Sequence, residues 1–135
     1  LCMSYSFANS IVWLKLLTDR ICEGKNKKNG LFLVSYQVLF VLNENERVSP
    51  KELVLSLGLA KSNLAIIAKK MMKDGLIERT KDLQNRKEIY YNITLKGKEV
   101  LMAKLAQIEN SCTESEKKET SLLQKVVQIL KGIKF

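Results

Sequence analysis

The 135 residues are 46% hydrophobic and 27% charged, which excludes a disordered chain and suffices to bury one core without disulfides or metal. The net charge of +9 points to a polyanionic partner, nucleic acid before an anionic membrane surface, and the absence of histidine removes Ser-His and Cys-His nucleophile pairs. Three widely spaced cysteines, Cys2, Cys22 and Cys112, exclude a disulfide framework and a zinc site, so neither metal nor cofactor is expected.

One proline and six glycines leave few loop signals and favour a mostly helical chain. No apolar run is long enough to span a membrane, and no basic stretch followed by a signal-like apolar segment opens the chain, which starts at Leu1. A cytoplasmic protein with reduced thiols is the expectation.

The first helix is read over residues 4–23. Phe7, Ile11, Leu14, Leu17 and Ile21 recur at helical steps, and Val12, Trp13 and Leu16 widen the apolar face. Residues 24–30, GKNKKNG, read as a solvated loop. Leu33 to Asn43 is almost continuously apolar and predicts a buried central helix. Ser49-Pro50-Lys51-Glu52 is a helix start: a capping serine, a proline at the first helical position, and a glutamate placed to close a capping box. That short helix stops at Gly58. A second begins near Lys61, carries Leu64, Ile67, Ala68 and Met71 on one face, and stops at Gly75. The pair makes a helix-turn-helix.

The period then changes. Residues 76–80 and 88–93 are short and rich in β-branched and aromatic side chains, and Ile89, Tyr91 and Ile93 alternate with polar neighbours. With the polar connector 81–87 they predict a β-hairpin with a charged tip, a wing. Thr94 caps a helix from about Lys96 to Asn110, and a last helix is read from Glu114 to Leu130 with a broad apolar stripe. The expected fold is a single domain, mainly α with a small β-hairpin wing: a winged helix-turn-helix over residues 49–95, flanked by helices over 4–48 and 96–135.

Charge agrees with that layout. Residues 60–98 hold ten Lys or Arg against four acids, net +6 in under a third of the chain. Such concentration suits phosphate binding. In a helix-turn-helix the second helix enters the major groove, where each base pair shows a distinct donor and acceptor pattern, and a wing can reach the adjacent backbone or minor groove.

Three motifs in order sharpen this reading: Gly75-Leu76-Ile77-Glu78-Arg79, Asn85-Arg86-Lys87 at the wing tip, and Ile93-Thr94-Leu95-Lys96-Gly97. From Ser49 to about Leu105 the chain resembles the core of the MarR (multiple antibiotic resistance regulator) family. The resemblance implies a homodimer whose first and last helices interlock, bound to double-stranded DNA at a pseudo-palindromic operator. It implies a repressor whose affinity a ligand or oxidant modulates. The DNA-binding residues would be Lys61, Lys69 and Lys70 on phosphates, and Ser62 and Asn63 at the start of the recognition helix. Arg86 and Lys87 would serve the wing contact, with Arg79 positioning backbone or wing. Three positions depart from the family pattern. Asn85 replaces an acid that orients the tip arginine, for which Asp82 could substitute. Ala65 and Ile66 stand where polar or basic residues are usual, and could meet thymine methyl groups or reduce base readout.

The family also implies a small apolar or phenolic effector, with Trp13, Tyr36 and Phe40 as candidates to line its pocket or as plain core. Some relatives sense peroxides through an early cysteine, which makes Cys22 either a redox thiol or a small buried hydrophobe. There is no glycine-rich phosphate loop and no carboxylate pair outside solvated contexts, so no enzyme is expected. The alternative is a winged-helix protein-interaction module without sequence-specific DNA binding. A basic membrane-surface protein fits less well, because the charge lies on a helix-turn-helix and wing rather than along one amphipathic helix.

Overall fold

The computed structural model describes residues 6–23, 30–85, 87–110 and 112–133. In chain order they form α1 (Ser6–Glu23), α2 (Gly30–Glu44), α3 (Pro50–Leu57), α4 (Lys61–Lys73), β1 (Ile77–Lys81), β2 (Ile89–Ile93), α5 (Leu95–Asn110), α6 (Glu114–Lys117) and α7 (Thr120–Lys131). The helix-turn-helix, the hairpin and the flanking helices fall where the sequence pattern puts them.

The helix-turn-helix is set by local chemistry. The Ser49 hydroxyl accepts from the Glu52 N–H at 3.2 Å, and the Glu52 carboxylate accepts from the Ser49 N–H at 3.0 Å. Two otherwise unsatisfied donors are thereby paired, and Pro50 presets the first turn. Gly58 ends α3 in the left-handed region at φ 65°, which costs glycine no Cβ clash. α4 then buries Leu64, Ile67, Ala68 and Met71 at three- and four-residue steps.

The core joins this stripe to Val38, Leu39 and Leu42 of α2, Leu53 of α3, Ile77 and Tyr91 of the hairpin, and Leu101 of α5. α2 is thus the central element, packed against α3, α4, α5 and β2. β1 and β2 are antiparallel in the register Ile77↔Ile93, Arg79↔Tyr91, Lys81↔Ile89. Opposed residues share a face, so Ile77, Tyr91 and Ile93 look inward while Glu78, Thr80, Tyr90 and Asn92 share the outer face. The Asn92 amide donating to Thr80 Oγ1 at 3.1 Å belongs to that outer face. Val48 adds one rung to β2, its N–H and carbonyl both bonded to Tyr91.

Four details depart from the sequence reading. The last helix is two: α6 stops at Lys117, and the Thr120 hydroxyl takes the Lys117 carbonyl at the start of α7, the side-chain competition that interrupts helices. α2 begins at Gly30, three residues before the predicted Leu33, since its apolar run extends to Leu31. Leu76 belongs to the α4–β1 turn, its N–H bonded to the Met71 carbonyl, so β1 starts at Ile77. Phe40 lies in the apolar run read as a buried helix, yet it is half exposed, and Leu55 of α3 is 74% exposed, because one helix can face the core with only one side.

Candidate nucleic-acid interface

On α4 the buried stripe leaves Lys61, Ser62, Asn63, Ala65, Ile66, Lys69 and Lys70 on the exposed side. Every α4 residue expected to meet DNA is therefore on a solvent-facing surface, and no acid lies within the helix. The N-terminal end of α4 has no side-chain cap, Ala60 standing at the capping position. Its first-turn N–H groups thus remain open to an anion, as at a helix N-terminus that receives phosphate.

Lys61 and Lys87 line one concave surface between α3, the start of α4 and the hairpin. Lys51 of α3 and Tyr90 of β2 line it too, with Ala65 on the α4 wall. Sequence reasoning missed Lys51: it lies in the first turn of a capped helix, and only the crossing of α3 and α4 brings it to Lys61. Arg79 and Lys81 are exposed along β1. Arg86, the residue most expected at the wing tip, lies outside the described residues, so its placement is not part of this geometry.

The tip itself is tied by its own side chains. Asp82 Oδ1 accepts from the Gln84 N–H at 2.9 Å, and Asn85 Oδ1 accepts from the Lys87 N–H at 3.3 Å. The Asp82 carboxylate thus helps to close the turn through one of its oxygens; the pairing with Arg86 expected of it falls on a residue outside the described ones. At the base of the tip, the Tyr90 hydroxyl donates to Glu88 Oε2 at 2.7 Å, and this hydrogen bond holds the phenol above its usual range. Arg47 lies over the Tyr90 ring.

Behind α4 a second cleft joins Ile66 and Lys70 to Ser35, Tyr36 and Leu39 of α2 and Val100 of α5. Ile66, 66% exposed, stands at its rim. A third, apolar groove runs between α2 and α5, lined by Tyr36, Phe40, Leu57, Leu101, Lys104 and Leu105. Lys104 is only 7% exposed, with its ammonium 5.2 Å from the centre of the Tyr36 ring. Burial raises the Tyr36 phenol above its usual range. Tyr36 and Phe40 are thus brought together, while Trp13 is not among the groove's lining residues and sits 59% exposed on α1. Cys22 falls in α1, but its side chain lies outside the described residues.

The chain matches the family described as "Winged helix DNA-binding domain" over residues 34–112, more than half its length. The transcriptional repressor MprA of Escherichia coli (strain K12) is 30% identical over 90 residues, covering 63% of this chain and 51% of that protein. The chain therefore spans about half the length of the curated relative it matches. Among solved structures, the transcriptional regulator BldR of Sulfolobus solfataricus superposes with a TM-score of 0.70 at 21% identity, covering 95% of this chain and 94% of that one. Wild-type MarR of E. coli in its apo form gives a TM-score of 0.69 at 16% identity over 89% and 94% of the two chains. The fold is the one the sequence motifs suggested. Among the described residues no helix is long and apolar enough to cross a membrane.

Proposed function

Because the chain belongs to the winged helix DNA-binding domain family, we propose that it is a dimeric transcription regulator of the MarR type, a repressor on a pseudo-palindromic operator. The observation that carries the reading is the sidedness of α4: an apolar stripe inward, and outward four lysines, Ser62 and Asn63 with no acid among them. α4 would lie in the major groove with Ser62 and Asn63 at base edges, Asn63 suited to a bidentate contact with adenine. Lys51, Lys61, Lys69, Lys70, Arg79 and Lys87 would neutralise phosphates, and Arg86 would extend the wing contact.

The dimer reading rests on the ends of the chain. α7 buries no residue of its own, and Leu122, Leu123, Val127 and Ile129 are exposed on it. α1 likewise exposes Phe7, Val12, Trp13, Leu16 and Leu17. Apolar surface on this scale is characteristic of an interface. A second copy covering both helices would pair two α4 helices about one DNA turn apart. The α2–α5 groove beneath Tyr36 and Phe40 suits a small apolar or phenolic effector, whose binding would shift the lobe spacing.

The exposed apolar side chains of Leu55 and Ile66 on the helix-turn-helix favour a second reading, a protein-interaction module. Selection from pooled random duplex DNA at two salt concentrations, with sequencing of what is retained, separates the two. An enriched pseudo-palindrome with steeply salt-sensitive binding supports the regulator. No enrichment at either salt rejects sequence-specific binding and leaves the interaction module.

A further inference from the structure

Arg47 stands in the α2–α3 linker, one residue before the rung that Val48 adds to β2. Its guanidinium carbon lies 4.3 Å from the centre of the Tyr90 ring. The hydroxyl of that ring donates to Glu88 at 2.7 Å. Glu88 in turn closes the hairpin: its carbonyl accepts from the Asp82 N–H at 3.0 Å, and its N–H donates to the Asn85 carbonyl at 2.9 Å. A continuous path of contacts thus runs from the linker that leads into the helix-turn-helix to the tip of the wing.

The path matters because the core holds the hairpin only at its base, through Ile77 and Tyr91, while Lys81, Leu83, Lys87 and Glu88 toward the tip are exposed. The sheet has two strands, and among the described residues the one bridge outside them meets β2 at Tyr91, short of the tip. A two-stranded ribbon is marginal by itself and twists strongly. A planar, weakly hydrated guanidinium stacked on a ring is a suitable brace for such a ribbon, and an ammonium would not reproduce it.

We propose that Arg47 is the positioning residue of the wing: by stacking on Tyr90 it sets the angle at which Lys81 and Lys87 face a duplex, without touching DNA itself. The wing's part in DNA binding rests on the function proposed above; the brace does not, and the two are read separately. A direct phosphate contact is the competing role for an exposed arginine here, and it predicts different behaviour.

The test uses the full chain carrying Arg47→Ala, Arg47→Lys or Tyr90→Leu, with amide hydrogen exchange measured first. Exchange at Asp82 and Glu88 should quicken about two- to fivefold in all three variants, the loss of one exposed cation–π contact, while Leu39 and Met71 in the core keep their rates. Unchanged tip exchange, or equal acceleration in the core, overturns the brace. Affinity for a pool of random-sequence duplex DNA should fall about two- to fivefold in the same variants. In a background that removes the wing's own cations, Lys81→Ala/Arg86→Ala/Lys87→Ala, Arg47→Ala should then add nothing. A full additional loss in that background, wild-type affinity in Arg47→Lys, or a salt slope lowered by about 0.9 identifies a phosphate contact and overturns the positioning role. Wild-type protein that binds no duplex, with tip amides that still respond to Arg47→Ala, overturns the DNA role while establishing the brace.

Discussion

The Lys96 ammonium donates to the Asp74 carbonyl at 2.7 Å, tying the first turn of α5 to the C-terminal end of α4. A cation is favourable there, where the last carbonyls of a helix lack partners. Thr94 reinforces the joint: its hydroxyl donates to the Gly75 carbonyl at 2.7 Å and accepts from the Gly97 N–H at 3.0 Å. The Ile93-Thr94-Leu95-Lys96-Gly97 motif is therefore a clamp between the exposed helix of the helix-turn-helix and α5, so that α4 and α5 are expected to move as one piece.

Gly97→Ala tests the clamp directly. A Cβ at Gly97 would lie 2.2 Å from the Leu76 carbonyl oxygen and 2.8 Å from Ile93 Cγ1. Backbone cannot give way as a flexible side chain does, so α5 must shift, at a cost of about 3 kcal/mol. Urea denaturation should read that loss. Thr94→Val, which removes the hydroxyl but keeps the shape, should cost about 1–2 kcal/mol. A Gly97→Ala variant as stable as the parent would mean that α5 does not approach the α4–β1 turn this closely.

The α3 cap gives a smaller, cleaner loss. Ser49→Ala removes the acceptor for the Glu52 N–H and should lower stability by about 1 kcal/mol. Ser49→Asp should retain most of it, because aspartate caps nearly as well. Equal losses in both variants would assign the effect to something other than the cap.

These two sites also mark what the sequence made legible. The capping box, the stop at Gly58 and the α4 stripe are codes written within a few residues, and their structure matches. The Val48 rung on Tyr91 joins residues 43 positions apart in the chain, a single pairing with no period to betray it. Arg47 and Lys51 went unnoticed for the same reason: each is an ordinary charged residue until α2, α3 and the hairpin pack together. Leu55 carried an apolar signal, but a short helix dense in leucine does not say which leucine faces outward. Asp82 was legible as an acid near the tip, whereas its use by the Gln84 N–H depends on how the turn closes.

Salt dependence should sort the lysines one at a time. If Lys61, Lys69, Lys70 and Lys87 each meet a phosphate, every single alanine variant should lower the slope of log affinity against log salt by about 0.9. Lys118→Ala, between α6 and α7, should leave the slope unchanged. Fluorescence anisotropy with one duplex across a salt series is sufficient. A variant that weakens binding with its slope intact acts through shape rather than charge, and that lysine would leave the proposed phosphate set.

The final test concerns α7. Leu123 and Val127 are four residues apart and so lie on one helical face, 53% and 41% exposed. In a monomer, Leu123→Glu with Val127→Glu changes only solvated surface and should move stability by less than about 0.5 kcal/mol per site. In an interlocked dimer the same carboxylates would be buried against apolar surface, and association should weaken by several kcal/mol, on the order of a hundredfold or more. Light scattering across a concentration series distinguishes the cases. The parent should be dimeric and the double variant monomeric at micromolar concentration, with circular dichroism showing that its helices persist. A variant that remains dimeric removes α7 from the interface, and a monomeric parent removes the two-fold arrangement on which paired half-sites depend.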